Sequence, residues 1–216
     1  MEARKYQRTH SIVFRKTKEE YGGLSNMAAG YILQIGNVKI LTSEAIYQAC
    51  RYPHLPEVQY RILSERSPMT AKMVSKKYRQ ESREDWEEVK IKIMRWCLRL
   101  KLIQNWDTFY PLLLSTGNKF IVEESRKDDF WGAKPVSQEL LIGVNALGRL
   151  LMELREEFKE SNQQCFVLQP LNIENFILMG KEIEPITVVR REIADTQVSL
   201  PSNIESDQLT FDDFKD

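Results

Sequence analysis

"SREDWEEVKIKIMRWCLRLKLIQN", residues 82–105, is the longest helical pattern in the chain. Val89, Ile91, Ile93, Met94, Trp96, Leu98, Leu100, Leu102 and Ile103 spread apolar surface around nearly the whole circumference at its centre. A helix that is apolar on all sides must be surrounded by other elements, so this one is expected to be a buried core helix. Ser82 is the expected N-cap. Acidic residues crowd the first turns and basic ones the later turns, which suits the helix dipole.

Outward from that helix, the N-terminal side holds a little β structure followed by further helices. "SIVFRK" (11–16) is strand-like, and the loop "EEYGGLSNMA" (19–28) turns on Gly22 and Gly23. "YILQIGNVKIL" (31–41) has two apolar arms around Gly36-Asn37, a hairpin signal. Helices follow at "TSEAIYQACRYP" (42–53), "PEVQYRILSE" (56–65) and "SPMTAKMVSKKY" (67–78), the last with Ser67 as N-cap and Pro68 in the first helical position. Beyond the core helix come a short helix in "WDTFYPLLLSTGN" (106–118), a strand running into a charged loop in "KFIVEESRKDDFWGAKP" (119–135), and a helix in "NALGRLLMELREEF" (145–158). Its stripe is Leu147, Leu150, Leu151, Leu154 and Phe158. This order predicts an α+β fold, mostly α, in which a small antiparallel sheet with a hairpin is packed by several helices. The expected division is a catalytic domain over 1–160, an extension over 161–193 with strand-like runs, and an acidic disordered tail over 194–216.

Bulk composition is that of an ordinary globular protein, with 42% hydrophobic and 29% charged residues in 216. No apolar run approaches the roughly 18 residues that would span a bilayer, and "MEARKYQRTH" lacks the apolar core of a secretory signal, so a cytoplasmic protein without membrane contact is expected. Cys50, Cys97 and Cys165 are widely spaced and odd in number, and are read as free thiols. Zinc-type Cys/His spacing is absent; no metal and no cofactor are expected.

A net charge of zero conceals polarity. Residues 1–101 hold 20 Lys and Arg against 11 Asp and Glu, and residues 102–216 hold 11 against 20, so the halves differ as +9 and −9. The first half therefore suits an anionic partner. Lys72, Lys76, Lys77 and Arg79, with Arg83, form the densest basic patch and a candidate nucleic-acid footprint, the alternative being a solvated helix face.

In residues 42–53, Glu44, Tyr47, Gln48 and Arg51 recur at i, i+3, i+4, i+7 and line one helix face. The stripe is either a wet surface with a loose ion pair or an acid, a phenol, an amide and a guanidinium gathered about a ligand. Glu44 falls in the first helical turn, where the dipole favours a carboxylate and suits it to act as a base or a cation stabiliser. Cleavage of a bond from an anomeric carbon to nitrogen develops an oxocarbenium-like cation, which such a carboxylate can stabilise. "DDFWGA" (128–133) could stack a ring on Trp131 beside the acid Asp128, or be a turn anchored by that tryptophan. Asn145 could N-cap the last helix, whose free N–H groups would suit a phosphate.

The segments "VFRKTKEEYGGLSNMAAGYILQIGNVKILTSEAIYQACRYP", "SPMTAKM", "REDWEEVKIKIM", "LLLSTGNKFIVEESRKDDFWGAK" and "NALGRLLMELREEF" together resemble, in order and spacing, the NADAR or YbiA-like family over about residues 12–158. The resemblance implies a compact α+β fold and N-glycoside hydrolysis on ribose-phosphate substrates. Two activities go with it: removal of ADP-ribose from guanine in nucleic acid, often opposing an ADP-ribosyltransferase toxin, and cleavage of phosphoribosyl aminopyrimidines in the riboflavin pathway. It places the family acids at Glu44 and Asp128 and the family tryptophan at Trp131, the expected catalytic set. Substrate binding falls to Ser25, Asn26, Tyr47, Gln48, Arg51 and Asn145, with Arg155 of the last helix placed beside them. Leu24 replaces an aromatic, "PVSQELLI" is inserted after "WGAK", and Arg51 occupies the position of a lysine, where a permanently protonated guanidinium cannot form an imine. The expected partners are ADP-ribosylated nucleic acid or an ADP-ribose-like nucleotide, and a cognate ADP-ribosyltransferase toxin. The favoured activity is ADP-ribose removal from guanine; the alternatives are the riboflavin-type N-glycosidase and a non-catalytic ADP-ribose-binding or antitoxin module.

Overall fold

Strands form where β-branched and aromatic residues alternate, and helices where the apolar period lengthens. A computed structural model describes residues 1–190; the acidic tail expected over 194–216 lies outside the described residues. In chain order the elements are β1 (Arg4–Gln7), β2 (Ser11–Phe14), β3 (Leu33–Ile35), β4 (Val38–Ile40), α1 (Ser43–Ala49), α2 (Pro56–Leu63), α3 (Pro68–Lys77), α4 (Trp86–Gln104) and α5 (Trp106–Leu114). There follow β5 (Phe120–Glu123), β6 (Lys134–Pro135), β7 (Leu140–Gly143), α6 (Ala146–Phe158), β8 (Cys165–Leu168), β9 (Ile177–Leu178), β10 (Lys181–Glu182) and β11 (Ile186–Val189). Mixed α and β structure with small sheets is the class expected from the order of patterns.

The core is organised around α4, which buries most of its circumference, from Trp86 and Val89 through Trp96 and Leu98 to Ile103, and keeps one polar strip, Glu88, Lys92, Arg95 and Arg99, at the surface. The helix begins later than the Ser82 cap implied. Ser82 Oγ donates instead to the carbonyl of Arg79 at 2.6 Å, and Asp85 takes the N-cap position. Arg83 explains the delay: its guanidinium bonds Asp85 twice, at 2.5 and 3.0 Å, and the carbonyl of Glu174 at 2.5 Å, which fixes the approach to the helix. On one flank α6 lays Leu147, Leu150, Leu151 and Leu154 into the core. Ion pairs Arg95–Glu153 and Arg99–Glu157 lie along the outer edge where α4 meets α6.

The β structure is distributed in small pieces. β1, β7 and β6 make an antiparallel sheet, and β3 and β4 form the hairpin, turning at Gly36 with φ +53°. β2 and β5 pair in parallel, Phe14 opposite Glu123, which no local pattern announces. Parallel pairing needs a long crossover, and α1 to α5 supply it. The carboxyl ends of two strands are thereby brought side by side, the end at which α/β sheets place ligands.

Residues after Glu160 form strands packed on the same core. β8 pairs with β11 and β9 with β10. Phe166 stacks on Trp106 at 4.7 Å between centroids and Phe176 meets Trp96 edge-on at 5.0 Å. Gln59 bridges inward by donating to the Ile177 carbonyl and accepting from the Met179 amide. Cys50 and Cys97 are buried free thiols, and Cys165 is exposed and free. Among the described residues no helix is long and apolar enough to cross a membrane.

Candidate active site

The polar stripe of α1 is not a wet face. Thr42 caps the helix by accepting from the Ala45 amide at 3.3 Å, and every residue from Ser43 to Ala49 is buried. Isolated charge in such a place is costly unless it is bonded. Glu44 is bonded at both oxygens: Asn26 Nδ2 donates to Oε2 at 2.8 Å and Gln48 Nε2 to Oε1 at 2.8 Å. The ammonium of Lys72, from α3, lies 3.7 Å from Oε1. These donors stabilise a carboxylate. Gln48 is itself held by Ser75 Oγ, which donates to its Oε1 at 2.5 Å, and Tyr52 Oη donates to the Ser75 carbonyl at 2.6 Å.

Asn26 reaches Glu44 because the "GGLSNM" loop is clamped from beneath. Lys101, fully buried on α4, donates to the carbonyls of Gly23 at 2.6 Å and Ser25 at 3.1 Å. The rings of Tyr31 and Phe109 lie 4.2 and 4.3 Å from its ammonium. Burial pulls that ammonium's pKa well below its ordinary value. Asn26 Oδ1 is buried without a hydrogen-bond partner among the described residues.

Around Glu44 opens a pocket of about 820 Å³. Asn26, Tyr47, Gln48, Arg51, Asp128 and Trp131 all line it, so the structure brings these predicted residues together. Trp131 forms a wall, edge-on to Tyr47 at 5.5 Å and to Phe130 at 5.1 Å. Tyr47 in turn lies against Trp86, and burial together with Glu44 raises its phenol. Arg51 sets its guanidinium 4.2 Å over the Trp86 ring. Asp128 spends one oxygen locally: Oδ1 accepts from the amides of Phe130 at 3.0 Å and Trp131 at 2.9 Å, which shapes the "DDFWGA" turn. Of the basic patch, Lys72, Lys76 and Arg79 line the pocket, and Arg15, Arg126 and Lys127 line it from other segments.

Three predicted binding residues are not at the pocket, and Lys77 and Arg83 of the basic patch are off its lining. Asn145 is fully buried at φ +51°, donating Nδ2 to the Ile121 carbonyl at 2.8 Å and accepting the Glu123 amide on Oδ1 at 3.1 Å. It sits at the N-cap position of α6 without making a side-chain cap bond, and ties that helix to β5 instead. Arg155 is buried near the end of α6, its guanidinium consumed by Thr116 Oγ1 and the Lys119 carbonyl, both at 2.9 Å. Ser25 Oγ accepts from the Met27 amide and shapes the loop. Lys77 ends α3 outside the set of residues that line the pocket.

Glu123 was missed. It ends β5, half-buried, and lines the same pocket as Glu44 and Asp128. Burial foremost, then Glu44 and Asp128, push its carboxyl up to about 7, against the opposing pull of Lys72. The available signal was the acidic pair closing an otherwise apolar strand, "FIVEE".

Residues 13–159 match the NADAR domain family, and the chain belongs to that family. Among its relatives, N-glycosidase YbiA of Escherichia coli strain K12 is 36% identical over 148 residues, which are 68% of this chain and 87% of YbiA. N-glycosidase Npun_R5314 of Nostoc punctiforme is 30% identical over 151 residues, 69% of this chain and 93% of that protein. Riboflavin biosynthesis protein VVA0006 of Vibrio vulnificus is 32% identical over 170 residues, 79% of this chain, and the match spans only 42% of that longer protein. The NMR structure of E. coli YbiA superposes with a TM-score of 0.61 at 32% identity, covering 73% of this chain and 95% of YbiA.

Proposed function

We propose that this pocket removes ADP-ribose from guanine bases of nucleic acid by hydrolysing the N-glycosidic bond. The coarser activity, hydrolysis of N-glycosidic bonds, is supported by family membership and by relatives that bear the name N-glycosidase. The observation that carries the finer one is the cationic rim. Lys72, Lys76 and Arg79 on the α3 side, Arg51, and Arg15, Arg126 and Lys127 from other segments line a pocket of about 820 Å³, seven cations against the five acids Glu44, Glu123, Glu124, Asp128 and Asp129, which leaves room and net positive charge for a diphosphate with a polynucleotide beyond it.

In this reading Glu44, held by two amides, orients the attacking water or stabilises the ribosyl cation. Asp128 positions ribose or water with the oxygen it does not spend on its own turn. Trp131 walls the base side, and the unpartnered Oδ1 of Asn26 accepts a ribose hydroxyl. Arg51 grips phosphate, its buried Nε being without a partner among the described residues. Reversal of guanine ADP-ribosylation would make an ADP-ribosyltransferase toxin the natural counterpart of this protein. The test is release of ADP-ribose from a guanine-ADP-ribosylated oligonucleotide by the wild type and by Glu44→Gln; no release by the wild type, or full release by the variant, overturns the proposal. Toxin protection retained by Glu44→Gln would instead indicate a binding module.

One observation favours a second reading. The Vibrio relative is named a riboflavin biosynthesis protein, which suits a phosphoribosyl aminopyrimidine as substrate. Competing that compound against the modified oligonucleotide in one assay separates the two.

A further inference from the structure

We propose that Glu123 is the proton donor to the departing base. The inference rests on the reading that this pocket cleaves an N-glycosidic bond, and it adds a residue to that reaction. A base leaving a sugar through nitrogen needs a proton, and a carboxyl group can give one only if it is kept neutral at working pH.

Two glutamates face one pocket in opposite surroundings. Glu44 receives an amide N–H at each oxygen and lies near an ammonium. Among the described residues no side chain hydrogen-bonds or pairs with the Glu123 carboxyl, although its neighbour Glu124 is paired with Arg8 at 2.5 Å. The charged groups that influence Glu123 are Glu44 from α1, Lys72 from α3 and Asp128 from the following loop, two anions against one cation. Arg15, just after β2, is directed to Glu124 at 3.9 Å. Such an environment distinguishes the pair: Glu44 is held by donors at both oxygens, whereas burial and two neighbouring anions favour the neutral form of Glu123.

The backbone around Glu123 is fixed as a positioned acid requires. Its amide donates to Asn145 Oδ1 at 3.1 Å and its carbonyl accepts from the Ala133 amide at 2.8 Å. A Cβ at Gly132 would come within 2.5 Å of that carbonyl, so the glycine is needed for the strand end to sit so close to the "DDFWGA" turn. Buried Asn145 thus serves the reaction through Glu123 rather than by touching substrate.

The step balances without a further reactant. As the bond from the anomeric carbon to the base nitrogen breaks, its electron pair goes to nitrogen, which takes the proton of Glu123. Water adds its oxygen to the anomeric carbon and gives a proton to Glu44. Solvent returns that proton to Glu123, so hydroxyl and hydrogen are divided between sugar and base.

The test compares pH profiles of the single-turnover rate, on the guanine-ADP-ribosylated oligonucleotide and on a phosphoribosyl aminopyrimidine, together with binding of ADP-ribose. The wild-type rate should fall as pH rises through about 7. Glu123→Gln should be slower by roughly 10²- to 10⁴-fold at the acid plateau, lack that fall, and bind ADP-ribose within about threefold of wild type. Glu123→Asp should keep a falling limb. A Glu123→Gln rate near wild type, or one that still falls near pH 7, overturns the assignment, as does loss of ADP-ribose binding in step with rate. A wild-type profile without that fall also overturns it, whatever the stability of the glutamine variant. A wild type inert on both substrates overturns the parent reading; an active wild type with an indifferent Glu123→Gln overturns this inference alone.

Discussion

Asn26 Nδ2 donates to Glu44 Oε2 at 2.8 Å, joining the loop before the hairpin to the first turn of α1 across 18 positions of sequence. A hydrogen bond to a charged group contributes about 1.5 to 3 kcal/mol, and this one sets which way the carboxylate faces. Asn26→Ala should lower kcat by roughly 10- to 100-fold and, with the ribose contact proposed for Oδ1 lost, raise KM as well. Steady-state kinetics of ADP-ribose release checks it; an unchanged kcat would mean that Glu44 is oriented without Asn26.

Ser75 supports the other oxygen at one remove, through Gln48. Ser75→Ala leaves the buried Oε1 of Gln48 without its donor, a cost of about 1 to 3 kcal/mol. Thermal and denaturant unfolding should show the loss of stability, and kcat should fall as Gln48 is freed to turn away from Glu44.

Arg155 should behave as a structural residue and Asn145 as a positioning residue, neither touching substrate. Arg155→Ala removes the guanidinium that satisfies Thr116 and the Lys119 carbonyl and should destabilise the fold by about 2 to 4 kcal/mol while leaving KM near wild type. Asn145→Ala should destabilise comparably and, by loosening the strand end at Glu123, lower kcat as well. Melting curves alongside kinetics separate the two variants.

The cationic rim predicts salt dependence. Lys76→Glu or Arg79→Glu should weaken binding of oligonucleotides of any sequence and flatten the plot of log affinity against log salt by about one unit for each phosphate left without its cation. Lys77→Glu, off the pocket lining, should do less. Fluorescence anisotropy at several salt concentrations measures this.

Stability should carry the mark of Glu123 too. Folding raises its pKa from 4.5 to about 7, so the folded state holds the proton more tightly than the unfolded chain. The contribution of this group is fully present below pH 4.5 and is lost as pH rises through about 7. The difference in unfolding free energy between wild type and Glu123→Gln, followed from pH 4.5 upward through about 7, should therefore move against the wild type across that window.

Local pattern made the helices and the hairpin legible. Residues 82–105 announce a core helix because apolar side chains cover most of the circumference and leave only the narrow strip of Glu88, Lys92, Arg95 and Arg99 to solvent, and Gly36-Asn37 announces its turn because only a few residues tolerate positive φ. The stripe in α1 was visible, yet periodicity alone cannot tell a wet face from a buried site; only the packing of the neighbouring helices and the loop from Gly22 to Met27 decides. The parallel pairing of β2 with β5 joins segments far apart in the chain, and with it went the chance to see Glu123 beside Glu44. Lys101 was hidden by its type: a lysine near a helix end reads as solvated until the carbonyls of Gly23 and Ser25 are seen to surround it. Asn145 and Arg155 misled in the opposite sense, since polar groups of the kind that bind ligands were satisfying buried backbone and hydroxyl groups.

In the proposed reaction Glu44 orients water toward the anomeric carbon of an ADP-ribosylated guanine or stabilises the ribosyl cation that the water traps, and in either case the oxygen of water ends on the sugar. Single-turnover reaction of a guanine-ADP-ribosylated oligonucleotide in ¹⁸O-water, with mass analysis of both products, tests it most directly. The expected products are ADP-ribose carrying one ¹⁸O at the anomeric hydroxyl and an unmodified guanine in the oligonucleotide, with a rate reduced by roughly 10²-fold or more in Glu44→Gln. An intact adduct after many half-lives of the expected reaction, ADP-ribose without the label, or a Glu44→Gln variant as fast as the wild type would contradict it.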